Sequence, residues 1–133
     1  MDDDPAVAVR RFVEAINAHS PTRVAALLSE DHLFVDSSGD SVRGREEMRK
    51  AWIGYFVMIP DYAIELEQLF VSGSTVALFG RARGTYAPDG TLRTQNRWEL
   101  SAAWRAEVRY GLIQSWQVYA DNEPVRQIMA RYG

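Results

Sequence analysis

The stretch that decides the fold is VALFGRARGTYAPDGTLRTQNRWELSAAWRAEV, from Val76 to Val108. Small or apolar residues alternate with polar or charged residues on both sides of its centre, and a period of two is typical of strands with one buried face. The central Ala-Pro-Asp-Gly is a turn by composition, with Asp89-Gly90 as its strongest signal. The sequence therefore predicts two antiparallel strands, the first from Val76 and the second from Leu92 to about Val108.

Further strands are predicted on both sides of this pair. The segment DYAIELEQLFV, residues 61–71, alternates in the same way and is followed by the hairpin turn Ser-Gly-Ser-Thr. After a turn at Arg-Tyr-Gly, the segment LIQSWQVYA, residues 112–120, has the composition of a last strand. Together these segments predict four long antiparallel strands in the second half of the chain.

The first half of the chain is predicted to be mainly helical. One buried helical face is indicated by the spacing of Val9, Phe12, Val13 and Ile16. Ser-Pro at 20–21 is typical of an N-cap and first residue, here of a short second helix. The segment HLFVD, residues 32–36, predicts a strand, followed by the turn SSGDS and a third helix over about 45–58. A short terminal helix is predicted by EPVRQIMARY, residues 123–132.

This order of elements predicts the fold class α+β. We expect a cone-like fold, in which a curved and mostly antiparallel sheet carries helices on its concave face around a pocket. Gly80 and Gly84, inside a predicted strand, are expected to mark the bends or bulges that such curvature needs. The length of 133 residues suits a single domain covering residues 1–133.

Composition argues against several classes of protein. The net charge is −3 and the basic residues are scattered, so no nucleic-acid partner is expected. The chain has no cysteine, and no group of His, Asp and Glu has the spacing of a metal site, so no metal is expected. No cofactor is expected either. The acidic N-terminus is unlike a signal peptide and no apolar run could span a membrane, so we expect a cytoplasmic protein without membrane contact.

Three segments carry a resemblance to a known family. Residues 10–36, RRFVEAINAHSPTRVAALLSEDHLFVD, are similar to the opening helices and first strand of the nuclear transport factor 2-like superfamily. Residues 43–56, RGREEMRKAWIGYF, resemble its G-R-E/D helix start, and residues 111–125, GLIQSWQVYADNEPV, look like the closing strand of SnoaL-like members. The resemblance covers nearly the whole chain and points to the SnoaL-like polyketide cyclase and ketosteroid isomerase branch. This fold hosts isomerases, cyclases, dehydratases, epoxide hydrolases and binding proteins, so it implies an architecture rather than a reaction.

Asp36 is the candidate catalytic residue. It ends the first predicted strand, where the resemblance implies the general base of ketosteroid isomerases. Alternation puts it on the same face as Phe34, and a carboxylate in an apolar pocket can move a proton between carbons of an enolisable substrate. The alternative interpretation is structural, because an Asp before Ser-Ser-Gly can bond to the backbone of an Asx turn.

The resemblance also implies two donors for the oxygen of a dienolate, and both are missing. The first-helix tyrosine of ketosteroid isomerases corresponds to Phe12, and the protonated aspartic acid of their long strand corresponds to Leu100. Steroid isomerisation by that mechanism is therefore not expected. Asn96, Gln114 or a tyrosine hydroxyl could orient a carbonyl instead, and the tyrosines considered for this role are Tyr55, Tyr62, Tyr86 and Tyr119.

The predicted ligand site is mostly aromatic. Alternation and helical spacing select as its ligand-binding residues Phe12, Phe34, Trp52, Tyr55, Asn96, Trp98, Gln114 and Trp116. Such walls suit a small, flat, apolar molecule. His19 and His32 are interpreted as structural. The Arg81-x-Arg83 pair resembles in position the Arg-x-Asp pair of limonene epoxide hydrolases, but it lacks the acid that epoxide opening needs.

The outer face of the sheet is expected to form a homodimer. Residues 93–102, RTQNRWELSA, carry the mixed polar and small side chains of a partly polar interface, and the family resemblance points the same way. Ion pairs on this face are expected among Arg81, Arg83, Arg93, Arg97 and Glu99.

Three functions stay open from the sequence. The first is a cofactor-independent cyclase or isomerase that acts on a polyketide- or steroid-like substrate with Asp36 as acid/base. The second is a binding protein in which Asp36 and Asn96 only orient a ligand. The third is a dimerisation or interaction module with a vestigial pocket.

Overall fold

The computed structural model describes residues 4–133 of the chain. The first three residues, which open the acidic N-terminal segment and the predicted domain 1–133, lie outside the described residues. The helices are α1 Pro5–Asn17, α2 Pro21–Ala26, α3 Arg45–Met58 and α4 Glu123–Ala130. The strands are β1 Leu28–Val35, β2 Ser41–Arg43, β3 Ala63–Ser72, β4 Thr75–Thr85, β5 Arg97–Arg109 and β6 Leu112–Tyr119. Within residues 4–133, no helix combines the length and the apolar character needed to cross a membrane.

The strands form one sheet in the order β2-β1-β6-β5-β4-β3. The strands from β3 to β6 are antiparallel neighbours, as predicted, whereas β1 pairs with β6 in parallel. This parallel pair joins the first half of the chain to the last strand. The sheet is curved and does not close, so the predicted α+β cone-like class is confirmed.

Alternation along the strands decides which face of the sheet is buried. In β4, Val76, Leu78 and Ala82 are buried, while Phe79 on the opposite face is exposed. The helix α1 packs against this buried face, where the ring of Phe12 meets that of Trp116 edge-on at 4.8 Å between centroids. The core therefore lies between α1 and the concave side of the sheet.

The first two helices each begin after a side chain that caps the helix, and the Ser20 cap was predicted from the sequence. The side chain of Asp4 accepts a hydrogen bond from Ala6 N at 2.9 Å, and Ser20 Oγ accepts one from Arg23 N at 3.2 Å. Each cap satisfies a backbone donor that the first helical turn leaves unpaired. At the other end of α1, the Asn17 side chain bonds to both N and O of Ile64, which ties the helix to β3.

Two strand boundaries differ from the prediction. β5 begins at Arg97 rather than Leu92, because residues 94–96 form a 3-10 turn in which Asn96 is fully buried. Asn96 Nδ2 donates to the carbonyl of Tyr86 at 3.0 Å, and Tyr86 N donates to the carbonyl of Asn96 at 3.1 Å. β1 begins at Leu28, before the predicted start, because Leu28 pairs with Ile113 at the start of β6.

The two strand glycines allow close approaches that a side chain would prevent. Gly80 lies opposite a bulge in β3 between Leu66 and Gln68, and a Cβ at Gly80 would overlap the carbonyl of Glu65. A Cβ at Gly84 would overlap the side chain of Ile59, just after α3. A bulge bends and twists its own strand locally, and this one lies in β3, opposite Gly80 rather than at it. Gly84 instead lets the end of α3 lie against β4.

Gly84→Ala should lower the free energy of unfolding by about 1–3 kcal/mol, because the added methyl group overpacks the contact with Ile59. Gly54→Ala is the matched control, since a Cβ at this α3 position meets nothing within 4 Å. It should leave stability unchanged or raise it by up to ~1 kcal/mol, because Ala favours helix over Gly. Urea denaturation of both variants measures the difference, and equal stabilities would contradict the packing described.

Candidate functional site

The concave side of the sheet encloses a cavity of about 300 Å³. Its walls come from the end of β1, from α3 and from the inner faces of β4, β5 and β6. The lining residues are Phe34, Asp36, Ser37, Val42, Met48, Ala51, Trp52, Tyr55, Tyr62, Ala82, Trp98, Leu100, Ala102, Trp104, Trp116, Val118, Ala120 and Asn122.

Helical and strand periodicity explain how these side chains converge. In α3, Met48, Trp52 and Tyr55 follow the spacing of one helical face and meet the sheet. In β5, the alternate residues Trp98, Leu100, Ala102 and Trp104 all point inward and line the cavity. The rings of Tyr55 and Tyr62 meet edge-on at 4.9 Å, so α3 and the segment after it form one aromatic wall.

Asp36 lines the same cavity from the end of β1, and its side chain also forms hydrogen bonds within the turn after β1. Its Oδ1 accepts hydrogen bonds from Ser38 N at 2.9 Å and from Asp40 N at 3.0 Å. Its backbone N donates to Asp40 O at 2.8 Å and its carbonyl accepts from Gly39 N at 3.0 Å. The Asx turn that the sequence offered as an alternative is therefore present. The same side chain lines the cavity, and within residues 4–133 its Oδ2 accepts no hydrogen bond.

Two tyrosine hydroxyls are available as donors in the same cavity. Within the described residues, the hydroxyls of Tyr55 and Tyr62 form no hydrogen bond. Burial raises the pKa of Tyr55 and that of Tyr62 well above the ordinary value for tyrosine. Both phenols therefore stay neutral near pH 7, so each hydroxyl can donate a hydrogen bond to an oxygen of a ligand.

The charge in the cavity wall is limited to one side chain. Among the lining residues in the described part of the chain, Asp36 is the only carboxylate, and none of these residues is Lys, Arg or His. The Nε1 groups of Trp98 and Trp104 are buried without an acceptor in the part of the chain that is described, and each such N–H costs roughly 1–3 kcal/mol. The cavity thus suits an apolar ligand with few polar atoms better than an anion.

Three predicted ligand residues lie outside the lining set. Phe12 is fully buried behind Trp116, where the two rings pack edge-on. Asn96 is held in the 3-10 turn, and its Nδ2 also donates to the hydroxyl of Tyr132 at 2.6 Å. Gln114 lies at a bulge in β6, where the register shifts between Glu107 and Val108 of β5. The bulge breaks the strand alternation from which Gln114 was predicted to bind a ligand. The predicted residues that do line the cavity are Phe34, Asp36, Trp52, Tyr55, Trp98 and Trp116.

Several lining residues were not among the predicted ones. Ser37 and Asn122 are joined by a hydrogen bond from Asn122 Nδ2 to Ser37 Oγ at 2.5 Å, which links the turn after β1 to the segment after β6. No sequence pattern connects these two positions, which are 85 residues apart. Tyr62 was considered only for its hydroxyl, although it has the aromatic character of the other wall residues. Val118 and Ala120 could have been found, because they continue the alternation from Trp116.

The two histidines and the outer arginines have structural contacts. His32 is buried in β1, where its Nδ1 donates to the carbonyl of Ile113 at 2.7 Å, and desolvation lowers the pKa of its imidazole. His19 Nε2 donates to Tyr62 O at 2.6 Å. Arg81 pairs with Glu99 at 3.0 Å and Arg83 with Glu65 at 3.5 Å on the outer face. Arg93 pairs with Asp89 at 2.8 Å, while in residues 4–133 no salt bridge involves Arg97.

The chain belongs to the SnoaL-like domain family, whose pattern matches residues 9–116. This range runs from α1 to Trp116 in the cavity wall and includes Asp36 and both wall tyrosines. The predicted membership of the SnoaL-like branch is thus confirmed. No curated protein sequence matches the chain.

Solved structures share this fold at low sequence identity. A protein with a ketosteroid isomerase-like fold from Catenulispora acidiphila, in complex with trimethylamine, is 20% identical with a TM-score of 0.77 over 89% of this chain and 88% of that one. IdmH, a candidate polyketide cyclase from Streptomyces antibioticus, is 21% identical with a TM-score of 0.77 over 96% and 99%. An LEH-like epoxide hydrolase from M. tuberculosis is 16% identical with a TM-score of 0.78 over 96% and 90%. At these identities the similarity shows the fold alone.

Asp36→Ala should lower the free energy of unfolding by about 1 kcal/mol, because Ser38 N and Asp40 N lose their acceptor. Asp36→Asn should change stability much less, since an amide oxygen can accept the same two hydrogen bonds. Thermal and urea denaturation of the two variants measure the contrast. An Ala variant as stable as the wild type would contradict the turn geometry.

Proposed function

We propose that this SnoaL-like protein binds a small apolar molecule and acts on it as a cofactor-independent isomerase or cyclase. The observation that carries the proposal is the composition of the cavity wall, in which one carboxylate, Asp36, faces an otherwise apolar and aromatic space. Such a site is the usual form of a small-molecule pocket, with few polar groups among hydrophobic walls. The substrate class that we propose is a polyketide- or steroid-like ketone, because the wall is mostly apolar and aromatic.

The proposed chemistry is proton transfer at carbon. The Asp36 carboxylate removes a proton from the carbon next to a ketone, the C–H electron pair forms the enolate, and the negative charge moves to the ketone oxygen. Tyr55 or Tyr62 donates a hydrogen bond to that oxygen. A neutral phenol in a desolvated wall stabilises developing negative charge better than water does. The two tyrosines would thus replace the donors that are missing at Phe12 and Leu100.

Two outcomes of the enolate are chemically balanced. In an isomerisation, protonated Asp36 returns its proton to a different carbon of the conjugated system. In a cyclisation, the enolate carbon attacks a second carbonyl of the same molecule, a C–C bond forms, and the new alkoxide takes the proton from Asp36. Neither route consumes an oxidant, a reductant or a cofactor.

A non-catalytic function is the second candidate, and the turn geometry of Asp36 favours it. Oδ1 already accepts two backbone hydrogen bonds, so the residue has a structural role that needs no substrate. In the non-catalytic function, a bound ligand is oriented by Asp36, Tyr55 and Tyr62 without being changed chemically. The similarity to a trimethylamine complex and to a candidate polyketide cyclase is compatible with either reading.

The catalytic reading predicts exchange of carbon-bound hydrogen. In deuterated water, the protein should accelerate deuterium incorporation next to the carbonyl of β-tetralone, a bicyclic ketone, as followed by NMR. Asp36→Asn should reduce that acceleration by at least about 10²-fold, since the general base is removed. Asp40→Asn is the control, because Asp40 belongs to the same turn but does not line the cavity. If β-tetralone binds and the wild type does not accelerate exchange, the binding function is favoured instead.

We also propose a homodimer through the outer face of the sheet. Phe79, Ala103 and Tyr119 are cross-strand neighbours on β4, β5 and β6 and share this face. Phe79 and Tyr119 are 43% and 48% exposed, and the ring of Phe70 lies 6.1 Å from that of Phe79. An apolar row flanked by the ion pair of Arg81 with Glu99 has the composition of an interface with a polar rim.

Light scattering at micromolar concentration should give about twice the chain mass of 15.1 kDa. Phe79→Glu should return the mass to that of one chain, because a charge would be buried in the centre of the interface. Val57→Lys is the control, since Val57 is 70% exposed on α3 and lies on the other side of the sheet. A wild-type mass of one chain would exclude the dimer at that concentration.

A further inference from the structure

A second cavity of about 260 Å³ lies beside the first. The two cavities share three wall residues, Tyr55, Trp98 and Asn122. The remaining walls of the second cavity are Ser38, Met58, Ile59, Val125, Arg126 and Met129. It is therefore bounded by the end of α3 on one side and by α4 on the other.

The wall that α4 contributes is held at both ends. Asn122 Nδ2 donates to Ser37 Oγ at 2.5 Å before the helix, and Tyr132 accepts a hydrogen bond from Asn96 Nδ2 at 2.6 Å after it. Arg131 Nη1 donates to the carbonyl of Gln95 at 3.1 Å, and Ile128 is buried. These contacts fix α4 in a position where it forms one side of the second cavity.

The two cavities differ in the charge that they offer. Within residues 4–133, Arg126 is the only charged residue that lines the second cavity, and Asp36 is the only one that lines the first. Arg126 Nη2 lies 3.4 Å from Glu123 Oε2, but both side chains are more than half exposed, so this ion pair is weak. The flexible side chains of Met58 and Met129 can adapt their shape around an alkyl group.

We propose that the second cavity is a subsite for a side arm of the ligand. The ring body of the ligand occupies the first cavity, and a short alkyl arm passes Asn122 and ends in a carboxylate near Arg126. The substrate class is therefore an apolar ring compound with an acidic side chain. This inference rests on the apolar-ligand part of the proposed function but not on catalysis by Asp36.

Three naphthalene probes test the subsite by isothermal titration calorimetry at neutral pH and low salt. Methylnaphthalene has the ring alone, naphthylbutanamide adds a neutral arm, and naphthylbutanoic acid adds a charged arm. We expect the amide to bind about tenfold more tightly than methylnaphthalene, because its methylene groups are buried. The acid should bind about threefold more tightly again, and this last gain should fall as salt is added.

Variants in α4 separate two contributions to the affinity, the charge of Arg126 and the volume of the second cavity. Arg126→Gln should remove the preference for acid over amide without changing the affinity for methylnaphthalene. Glu123→Gln is the matched control and should have the opposite effect on affinity. Without its partner carboxylate, Arg126 should bind the acid more tightly. Met129→Trp should fill the second cavity and bring both arm-bearing probes down to the affinity of methylnaphthalene.

The outcomes distinguish this inference from the proposed function. If methylnaphthalene binds and the arms add nothing, the subsite is refuted while the apolar-ligand cavity stands. If the amide gains affinity and the acid gains no more, the acidic side chain is refuted. If no probe binds, both the apolar-ligand cavity and the subsite fail. Loss of deuterium exchange in Asp36→Asn with unchanged probe affinities would leave this inference intact.

Discussion

The close approach between the end of α3 and β4 is the contact on which the cavity depends. At Gly84 the absence of a side chain leaves room for Ile59 and for the ring edge of Trp98. That contact fixes the position of the residues on either side of Ile59, among them Tyr55 and Tyr62. Without it, α3 would stand further from the sheet and the aromatic wall would open.

The bulge opposite Gly80 acts together with this contact. The bulge in β3 opposite Gly80 curves the sheet, and a curved sheet can enclose a space that a flat sheet of the same residues would leave exposed. Alternation then directs large side chains into that space from β5 and β6. The cavity is therefore a consequence of backbone geometry first and of side-chain chemistry second.

Asp36 has a structural role in the turn after β1, and it also lines the cavity in which we propose that it acts. Its Oδ1 closes the turn after β1, and the side chain lies in the wall of the cavity. A carboxylate whose orientation is already fixed by two backbone donors loses little freedom when a ligand arrives, and such preorganisation is compatible with both proposed functions, proton transfer and the orientation of a bound ligand. Because the fold supports many functions, this local geometry carries more information about the function than the similarity to other SnoaL-like proteins does.

The sequence by itself determined the fold class, the inner faces of the strands and the helix starts, because these follow from periods and caps that act over a few residues. It also predicted cavity positions for Trp52, Trp98 and Trp116, which lie on regular elements where the period holds, and for Asp36, which directly follows β1. Only the tertiary structure decided which residues surround the cavity. Asn96 left the predicted face because a 3-10 turn replaced the start of β5, and Gln114 left it because a bulge shifted the register. The contact of Asn122 with Ser37 joins positions that are far apart in the chain. No local pattern predicts such a pair, because it forms only when the helices have packed on the curved sheet.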